Sequence, residues 1–152
     1  MLKQPNGFVV VAVYVDDLNL VGTILTYRYA EKLLTDEFEM KLLGRTTYCL
    51  GLQISHIPGG AVFLHQTMYT QKLLKRFGME KSNPLAAPMI GRSKTSDDPY
   101  APCEEEEEEF SNMNQYLAAV GALLYLSTNT RPDISFAVSV LARHSQRPSI
   151  RH

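Results

Sequence analysis

The chain has 152 residues, of which 45% are hydrophobic and 20% charged, and this composition excludes an intrinsically disordered protein. Two cysteines and no signal-peptide pattern argue against a secreted domain held together by disulfides. The most apolar stretch, residues 8–15, is far shorter than the roughly 20 residues of a membrane span. We therefore expect an intracellular globular chain of ordinary domain size that does not enter a membrane.

The formal net charge of −1 conceals a local bias, because residues 97–109 contain eight acidic residues and no basic one. The rest of the chain has 15 basic and 8 acidic residues, a formal charge of +7. Such a body could bind a polyanion, or it could simply present a solvated polar surface. We expect the acidic segment to be disordered.

The first half of the chain predicts two hairpins, each followed by a helix. Residues 8–15 are β-branched and aromatic, and two aspartates separate them from the apolar residues 18–21, as at the tip of a hairpin. Residues 23–38 have helical periodicity. Residues 46–57 predict a strand, and the Pro-Gly-Gly turn at 58–60 returns the chain to a strand over 61–64. The expected buried side chains of the first helix are Ala30, Leu33, Leu34 and Phe38.

The second helix and the last part of the chain are also defined by apolar stripes. Gly78 stands where a left-handed C-terminal cap would end the second helix. Residues 82–109 predict a loop, Ser111 an N-cap, and residues 130–133 a capping box before the last helix. The expected buried side chains of these three helices are, in chain order, Tyr69, Leu73, Leu74 and Phe77, then Leu117, Val120, Leu123 and Leu124, then Ile134, Ala137, Val138 and Leu141.

Asp16 and Asp17 are the chemically most informative residues. Two adjacent carboxylates repel each other unless a cation neutralises them. Mg²⁺ prefers oxygen ligands from one or two carboxylates together with substrate phosphates. Acidic turns are common, so the pair indicates a metal site only in combination with the residues around it.

Those residues resemble a known family. Tyr14-Val15-Asp16-Asp17-Leu18, between two apolar strands, resembles the catalytic hairpin of reverse transcriptases, whose aromatic-x-Asp-Asp signature holds the catalytic metals. Further stretches follow in the order seen in Pol polyproteins of copia-type retrotransposons. They are residues 38–44, 48–54, 64–69, 74–79, 120–126 and 130–134. The resemblance covers the chain from about residue 9 to residue 152 and implies an RNA-directed DNA polymerase, a nucleotidyltransferase.

The resemblance implies a catalytic role for the acidic pair. Asp16 and Asp17 would be the palm carboxylates that bind Mg²⁺ or Mn²⁺, with Asp16 as the more direct ligand. The partners would be an RNA or DNA template–primer and deoxynucleoside triphosphates. Tyr14 would lie near the templated base pair, or would only pack beneath the hairpin.

Six further residues receive roles from the same resemblance, each with a simpler alternative. Leu50 and Gly51 would belong to the primer grip, although a glycine there also suits a bulge. Lys41 would protonate the leaving pyrophosphate, or would be a solvated lysine at a helix end. The thumb-like helix would contact phosphates through its cations, or would present an ordinary polar face. These cations are Lys72, Lys75 and Arg76.

The implied fold class is α+β, a partial reverse-transcriptase palm followed by thumb- and connection-like helices. Residues 1–57 would be the palm, with the catalytic hairpin and the primer-grip-like strand. Residues 58–96 would hold the second hairpin arm and the thumb-like helix with its loop. Residues 97–109 would be the acidic loop, and residues 110–152 a two-helix thumb and connection segment.

The sequence also departs from the family pattern. Leu42 stands where the family usually has an acid, and Cys49 where it has an aromatic residue. The fingers and the first palm strand, with a further metal-binding aspartate, would lie upstream, and a ribonuclease H domain downstream. We therefore expect the isolated chain to be inactive as a polymerase.

Two other functions fit parts of the sequence. One is a non-catalytic nucleic-acid-binding remnant that uses the basic helix. The other is an unrelated Mg²⁺-dependent phosphoesterase built on the acidic pair, which would need further acids or histidines near that pair, and the sequence offers no convincing set.

Overall fold

A computed structural model of the chain describes residues 2–4, 7–89, 112–150 and 152. The described residues form antiparallel strands and α-helices, which confirms the predicted α+β class. The chain divides into two compact units, Met1–Thr47 and Tyr48–His152.

The first unit is a three-stranded antiparallel sheet with one helix. Its strands β1 (Leu2–Gln4), β2 (Gly7–Tyr14) and β3 (Asp17–Gly22) are adjacent in chain order. The β2–β3 register runs from Val9 opposite Gly22 to Tyr14 opposite Asp17. This confirms the predicted hairpin, and it leaves residues 15 and 16 as the two-residue turn at its tip.

The helix α1 (Ile24–Glu37) packs on this hairpin. Val9 in β2 is fully buried, and Thr26 and Ala30 are the buried residues of the helix. The Thr26 hydroxyl donates a hydrogen bond of 2.7 Å to the Phe8 carbonyl. The predicted burial is therefore confirmed for Ala30. It is wrong for Leu33 and Phe38, which are exposed, because the helix contacts the sheet through positions 26 and 30.

The second unit begins with another antiparallel sheet. Its strands are β4 (Tyr48–Cys49), β5 (Leu52–His56) and β6 (Val62–His65), again in chain order. The predicted continuous strand over 46–57 is wrong, because a tight turn at Leu50 and Gly51 splits it. The predicted turn at 58–60 is confirmed, since the Ile57 amide donates to the Ala61 carbonyl across it.

The helix α2 (Thr67–Arg76) ends as its sequence predicts. Gly78 has a φ of +67°, and its amide donates to the Lys75 carbonyl while the Met79 amide donates to the Leu74 carbonyl. This pair of bonds is the Schellman motif, which satisfies carbonyls left open at the helix end. Tyr69, Leu73 and Phe77 are half-buried, as expected, but Leu74 is exposed.

The helix α3 (Met113–Asn129) is capped by Asn112, whose side chain accepts a hydrogen bond from the Gln115 amide at 3.1 Å. The predicted cap, Ser111, lies outside the described residues.

The buried positions of α3 are Tyr116, Val120, Leu126 and Ser127. The predicted Leu117 and Leu124 are exposed, because α3 packs on α4 (Ser135–Ala142) through a face that includes Tyr116. The Tyr116 hydroxyl donates to the Leu141 carbonyl at 2.7 Å.

The predicted capping box at 130–133 does not form. Thr130 instead donates its hydroxyl to the Gln66 side-chain oxygen at 2.7 Å. Asp133 forms an ion pair with Arg131 at 2.7 Å, and the hydrogen bonds from Arg131 lower the pKa of Asp133. A short 3₁₀ turn, Pro132–Ile134, then leads into α4, where Ala137 and Val138 are buried as expected.

The predicted loop over 82–109 is described only as far as residue 89, and residues 82–89 form no helix or strand. The acidic segment 97–109 lies outside the described residues. No helix in the described parts of the chain is long and apolar enough to cross a membrane.

Candidate functional site

The two aspartates lie at the tip of the first hairpin. Tyr14 and Asp17 are the last cross-strand pair, and Val15 and Asp16 form the turn between them. Residues directly opposite each other in an antiparallel pair point to the same face, so Tyr14 and Asp17 share a face of the sheet. Tyr14, Asp16 and Asp17 are all exposed. The fold therefore presents both carboxylates to any cation or substrate that approaches the tip.

The turn is held in an unfavourable backbone conformation. Val15 has a φ of +51° and is 81% exposed. A β-branched residue with positive φ is rare, because its Cβ clashes with the backbone at a cost of roughly 1–2 kcal/mol. Two-residue hairpin turns usually place Gly, Asn or Asp at such a position. Strained residues of this kind concentrate at functional sites, which supports the tip of this hairpin as a candidate.

Replacing Val15 with asparagine should stabilise the first unit. Asparagine tolerates the left-handed conformation, so Val15→Asn is expected to raise the free energy of unfolding by about 1 kcal/mol. Val13→Asn is the matched control, because Val13 is also exposed, at 67%, but lies in the strand, where asparagine is unfavourable. Urea unfolding of both variants measures the difference. A decrease in stability in both would contradict the strained turn.

The described residues contain no group of three or more His, Cys, Asp or Glu side chains placed to hold a metal ion. Asp16 and Asp17 thus offer two carboxylates, which are suitable donors for a hard divalent cation. They provide part of a coordination shell.

Lys41 lies in the exposed, irregular segment that follows α1. This segment is tied back to β3 at its far end, where the Thr46 hydroxyl donates to the Asn19 side-chain oxygen at 3.1 Å. The structure therefore places Lys41 on a surface segment of the first unit, four residues beyond the end of the helix.

In the second unit, Leu50 and Gly51 form the turn between β4 and β5. Both have positive φ, +49° and +81°, as in the type I′ turn that suits a two-residue hairpin. The Tyr125 hydroxyl donates a hydrogen bond to the Leu50 carbonyl, and a Cβ at position 51 would collide with that hydroxyl. Tyr69 packs edge-on against the Tyr125 ring at 5.0 Å. The turn is therefore fixed by a helix residue.

Sequence reasoning missed Tyr125 as a residue of this region. It lies 75 positions from Leu50 along the chain, and its only signal was its place within the family-like stretch 120–126. Neither periodicity nor turn chemistry could have connected the two.

The three cations of α2 differ in their surroundings. Lys72 and Lys75 are exposed and line a shallow surface groove with Met68, Gln71, Leu74 and Glu80. The guanidinium of Arg76 lies 5.6 Å from the centre of the Phe77 ring, a cation–π contact.

The structure thus places the predicted site residues in two groups. Tyr14, Asp16 and Asp17 lie together in the first unit. In the second unit Leu50 and Gly51 form one turn, and the three cations lie on one helix.

A family model described as reverse transcriptase (RNA-dependent DNA polymerase) matches residues 2–91. The chain is 35% identical over 153 residues to the retrovirus-related Pol polyprotein from transposon TNT 1-94 of Nicotiana tabacum, covering 97% of the chain and 11% of the polyprotein. It is 30% identical to the Pol polyprotein from transposon RE2 of Arabidopsis thaliana, covering 100% of the chain and 10% of that protein.

A third relative is an uncharacterized mitochondrial protein of Arabidopsis thaliana, 34% identical over 140 residues, which cover 90% of the chain and 53% of the relative. The chain thus spans between about a tenth and about a half of the length of these relatives. No solved structure matches the chain.

Proposed function

The chain belongs to the reverse transcriptase (RNA-dependent DNA polymerase) family as found in copia-type retrotransposon Pol polyproteins, and we propose that its first unit carries the metal-binding hairpin of such a polymerase. The observation that carries the proposal is the position of Asp16 and Asp17 at an exposed, strained hairpin tip. In this role Asp16 is the more direct metal ligand and Asp17 the second carboxylate.

The chemistry is nucleotide addition to a primer. Two divalent ions, Mg²⁺ or Mn²⁺, would activate the primer 3′-hydroxyl and neutralise the charge on the leaving pyrophosphate when bound. Asp16, in the turn, contributes a carboxylate that is not constrained by strand pairing. Asp17, at the start of β3, contributes one from a fixed strand position. The exposure of both suits a site that must admit a triphosphate.

The remaining residues act on the nucleic acid and on the incoming nucleotide. Tyr14 shares the face of Asp17 and is 59% exposed, which favours contact with the templated base pair over packing beneath the hairpin. The Leu50–Gly51 turn is proposed as the primer grip, since the Tyr125 hydroxyl fixes its backbone at the end of a hairpin. Lys41 is proposed as a proton donor to pyrophosphate.

The segments keep their proposed assignment within a polymerase. Residues 1–57 are the palm portion, residues 58–96 the second hairpin arm and thumb-like helix, residues 97–109 an acidic loop, and residues 110–152 the thumb and connection portion.

The 152-residue chain alone is proposed to be inactive, because the described residues bring only Asp16 and Asp17 to the hairpin tip, and two carboxylates do not complete a two-metal site. Purified chain is therefore expected to show no primer extension with Mg²⁺ or Mn²⁺ on a primed RNA or DNA template. A commercial reverse transcriptase in the same buffer is the positive control. Extension by the chain that disappears in Asp16→Asn would overturn the proposed inactivity, while supporting the role of the hairpin.

Nucleic-acid binding without catalysis is the second candidate function. Residues 48–152 contain ten Lys and Arg residues and ten Asp and Glu residues, but only two of these acids lie outside the acidic segment 97–109. One of those acids, Asp133, is already paired with Arg131. Exposed Lys72 and Lys75 would contact phosphates without reading sequence, and this binding would persist in a chain that lacks polymerase activity.

A further inference from the structure

One face of the second sheet carries a compact group of ring-bearing and polar side chains. The register places Tyr48 opposite Gln53 and Gln53 opposite His65, so these residues form a row across all three strands. Ser55 is opposite Phe63 in a neighbouring row. Opposite residues share a face and side chains alternate along a strand. All five therefore lie on one face, which we call the aromatic face.

Two rings of this face are available to a ligand. Tyr48 is 59% exposed and Phe63 is 57% exposed. They lie on the two outer strands, and neighbouring strands are about 4.8 Å apart. The rings are thus far enough apart to contact different groups of one extended ligand.

The side of the face that lies on the outer strand β6 is held rigidly. The His65 ring is hydrogen-bonded at both nitrogens, with 3.1 Å from Nε2 to the Ser55 hydroxyl and 2.8 Å from Nδ1 to the Thr67 hydroxyl. A hydroxyl can donate or accept, so both bonds can form in either ring tautomer. Phe63 stacks on this fixed imidazole with ring centres 5.5 Å apart and planes 21° apart. A ring that is already oriented loses little conformational freedom when a ligand stacks on it.

The electrostatic setting favours an anionic ligand. Residues 48–65 contain no Asp, Glu, Lys or Arg, and the rest of residues 48–152, apart from the acidic segment 97–109, contains ten basic and two acidic residues. A ligand that combines flat apolar rings with negative charge matches both features. Exposed aromatic rings on a sheet are used for base stacking in RNA-recognition domains, and aromatic surfaces within basic grooves bind single strands generally.

We propose that the aromatic face is a base-stacking surface for single-stranded nucleic acid, with Phe63 and Tyr48 as the stacking rings. The inference rests on the proposed nucleic-acid function and adds to it a contact with bases, whereas the cations of α2 contact phosphates. A duplex is not the occupant, because its bases are already stacked on one another. Sequence specificity is not expected, since every base has an aromatic face.

The chain has no tryptophan, so Phe63→Trp introduces a single fluorescent reporter into the face. Titration with a single-stranded oligothymidylate is expected to quench this tryptophan. Phe136→Trp is the matched control, because Phe136 is a similarly exposed ring, 65%, on α4 in the same unit. Its fluorescence should change much less. An abasic oligonucleotide of equal length has the same charge and no bases, so it should not quench Phe63→Trp.

Affinity measurements distinguish stacking on an aromatic ring from contact with any large apolar side chain. Phe63→Leu and Tyr48→Leu keep a large apolar side chain and remove the ring, and each is expected to weaken oligothymidylate binding roughly tenfold. Phe63→Tyr should bind like the original chain, and Phe136→Leu should be unaffected. None of the four variants should change the affinity for the abasic oligonucleotide. Circular dichroism verifies that each variant is folded.

Each outcome bears on a different proposal. Unchanged affinity in Phe63→Leu and Tyr48→Leu, with binding that still weakens steeply as salt rises, would overturn the stacking surface and leave the proposed phosphate contacts intact. Equal quenching at positions 63 and 136 would also overturn it. Failure of the chain to bind any oligonucleotide at low salt would contradict both the stacking surface and the nucleic-acid function on which it rests.

Discussion

Replacing Gly51 with alanine is expected to lower the free energy of unfolding by about 3 kcal/mol. Gly51 has a φ of +81°, and any side chain there incurs roughly 1–2 kcal/mol of backbone strain. The new Cβ would also collide with the Tyr125 hydroxyl. Displacing that hydroxyl breaks its hydrogen bond to the Leu50 carbonyl, which adds about 1 kcal/mol.

The two contributions can be separated by matched variants. Gly78 also has a positive φ, +67°, but nothing lies within 4 Å of a Cβ built there. Gly78→Ala should therefore show only the backbone cost, about 1 kcal/mol. Combining Gly51→Ala with Tyr125→Phe removes the colliding oxygen and should recover part of the loss. Urea unfolding measures all four proteins, and equal losses for Gly51→Ala and Gly78→Ala would contradict the contact with Tyr125.

The difference between these two glycines also shows what sequence can reveal. Gly78 follows an apolar stripe at the end of a helix, a local pattern that predicted its role correctly. The turn at Leu50 and Gly51 lies within an apolar run, and Leu50 gives no local signal for a left-handed conformation. That turn is stabilised by Tyr125, which is distant in sequence, so local patterns predicted an uninterrupted strand.

Helix faces were predicted less well than helix positions, for a related reason. Periodicity identifies a helix and an approximate apolar stripe, but the packing partner decides which side of the stripe is buried. In α3 the Tyr116 hydroxyl reaches the Leu141 carbonyl, which turns the buried face toward Tyr116 and away from Leu117. The sequence does not reveal that the Tyr116 hydroxyl has this carbonyl as its partner.

Some features of the candidate site were likewise predictable from the sequence and others were not. The position of Asp16 and Asp17 at a hairpin tip was predictable, because two acids between β-rich apolar runs have few other places to lie. The strain at Val15 was not, since it depends on which two residues the register leaves in the turn. The aromatic face was also beyond local reasoning, because strand register alone decides that Tyr48 and Phe63 share a face.

The largest effect on activity is expected at Asp16. Asparagine has nearly the same shape as aspartate but lacks its charge, so Asp16→Asn removes the carboxylate proposed to bind metal without altering the turn. Metal ions contribute several kcal/mol to the stabilisation of a transition state, and each 1.36 kcal/mol changes a rate tenfold. We expect primer extension to fall about 10³-fold in any polymerase that uses this hairpin. Asp17→Asn should have a smaller effect, because Asp16 is proposed as the more direct ligand.

A transplant makes this effect measurable, since the chain alone is expected to be inactive. Residues 1–47, which form the first unit, replace the matching segment of an active copia-type reverse transcriptase. Asp36→Asn in the same transplant is the matched control. Asp36 is an exposed aspartate on α1 with no proposed role, and its loss changes the net charge by the same amount.

The most direct test of the central claim is the Mg²⁺-dependent rate of primer extension by this transplant and by its Asp16→Asn and Asp36→Asn variants. If the hairpin is the metal-binding hairpin of a reverse transcriptase, the transplant and Asp36→Asn extend primers at similar rates, and Asp16→Asn is slower by about 10³-fold. Equal rates for Asp16→Asn and Asp36→Asn would contradict the claim. So would an inactive transplant that is folded and still binds template–primer.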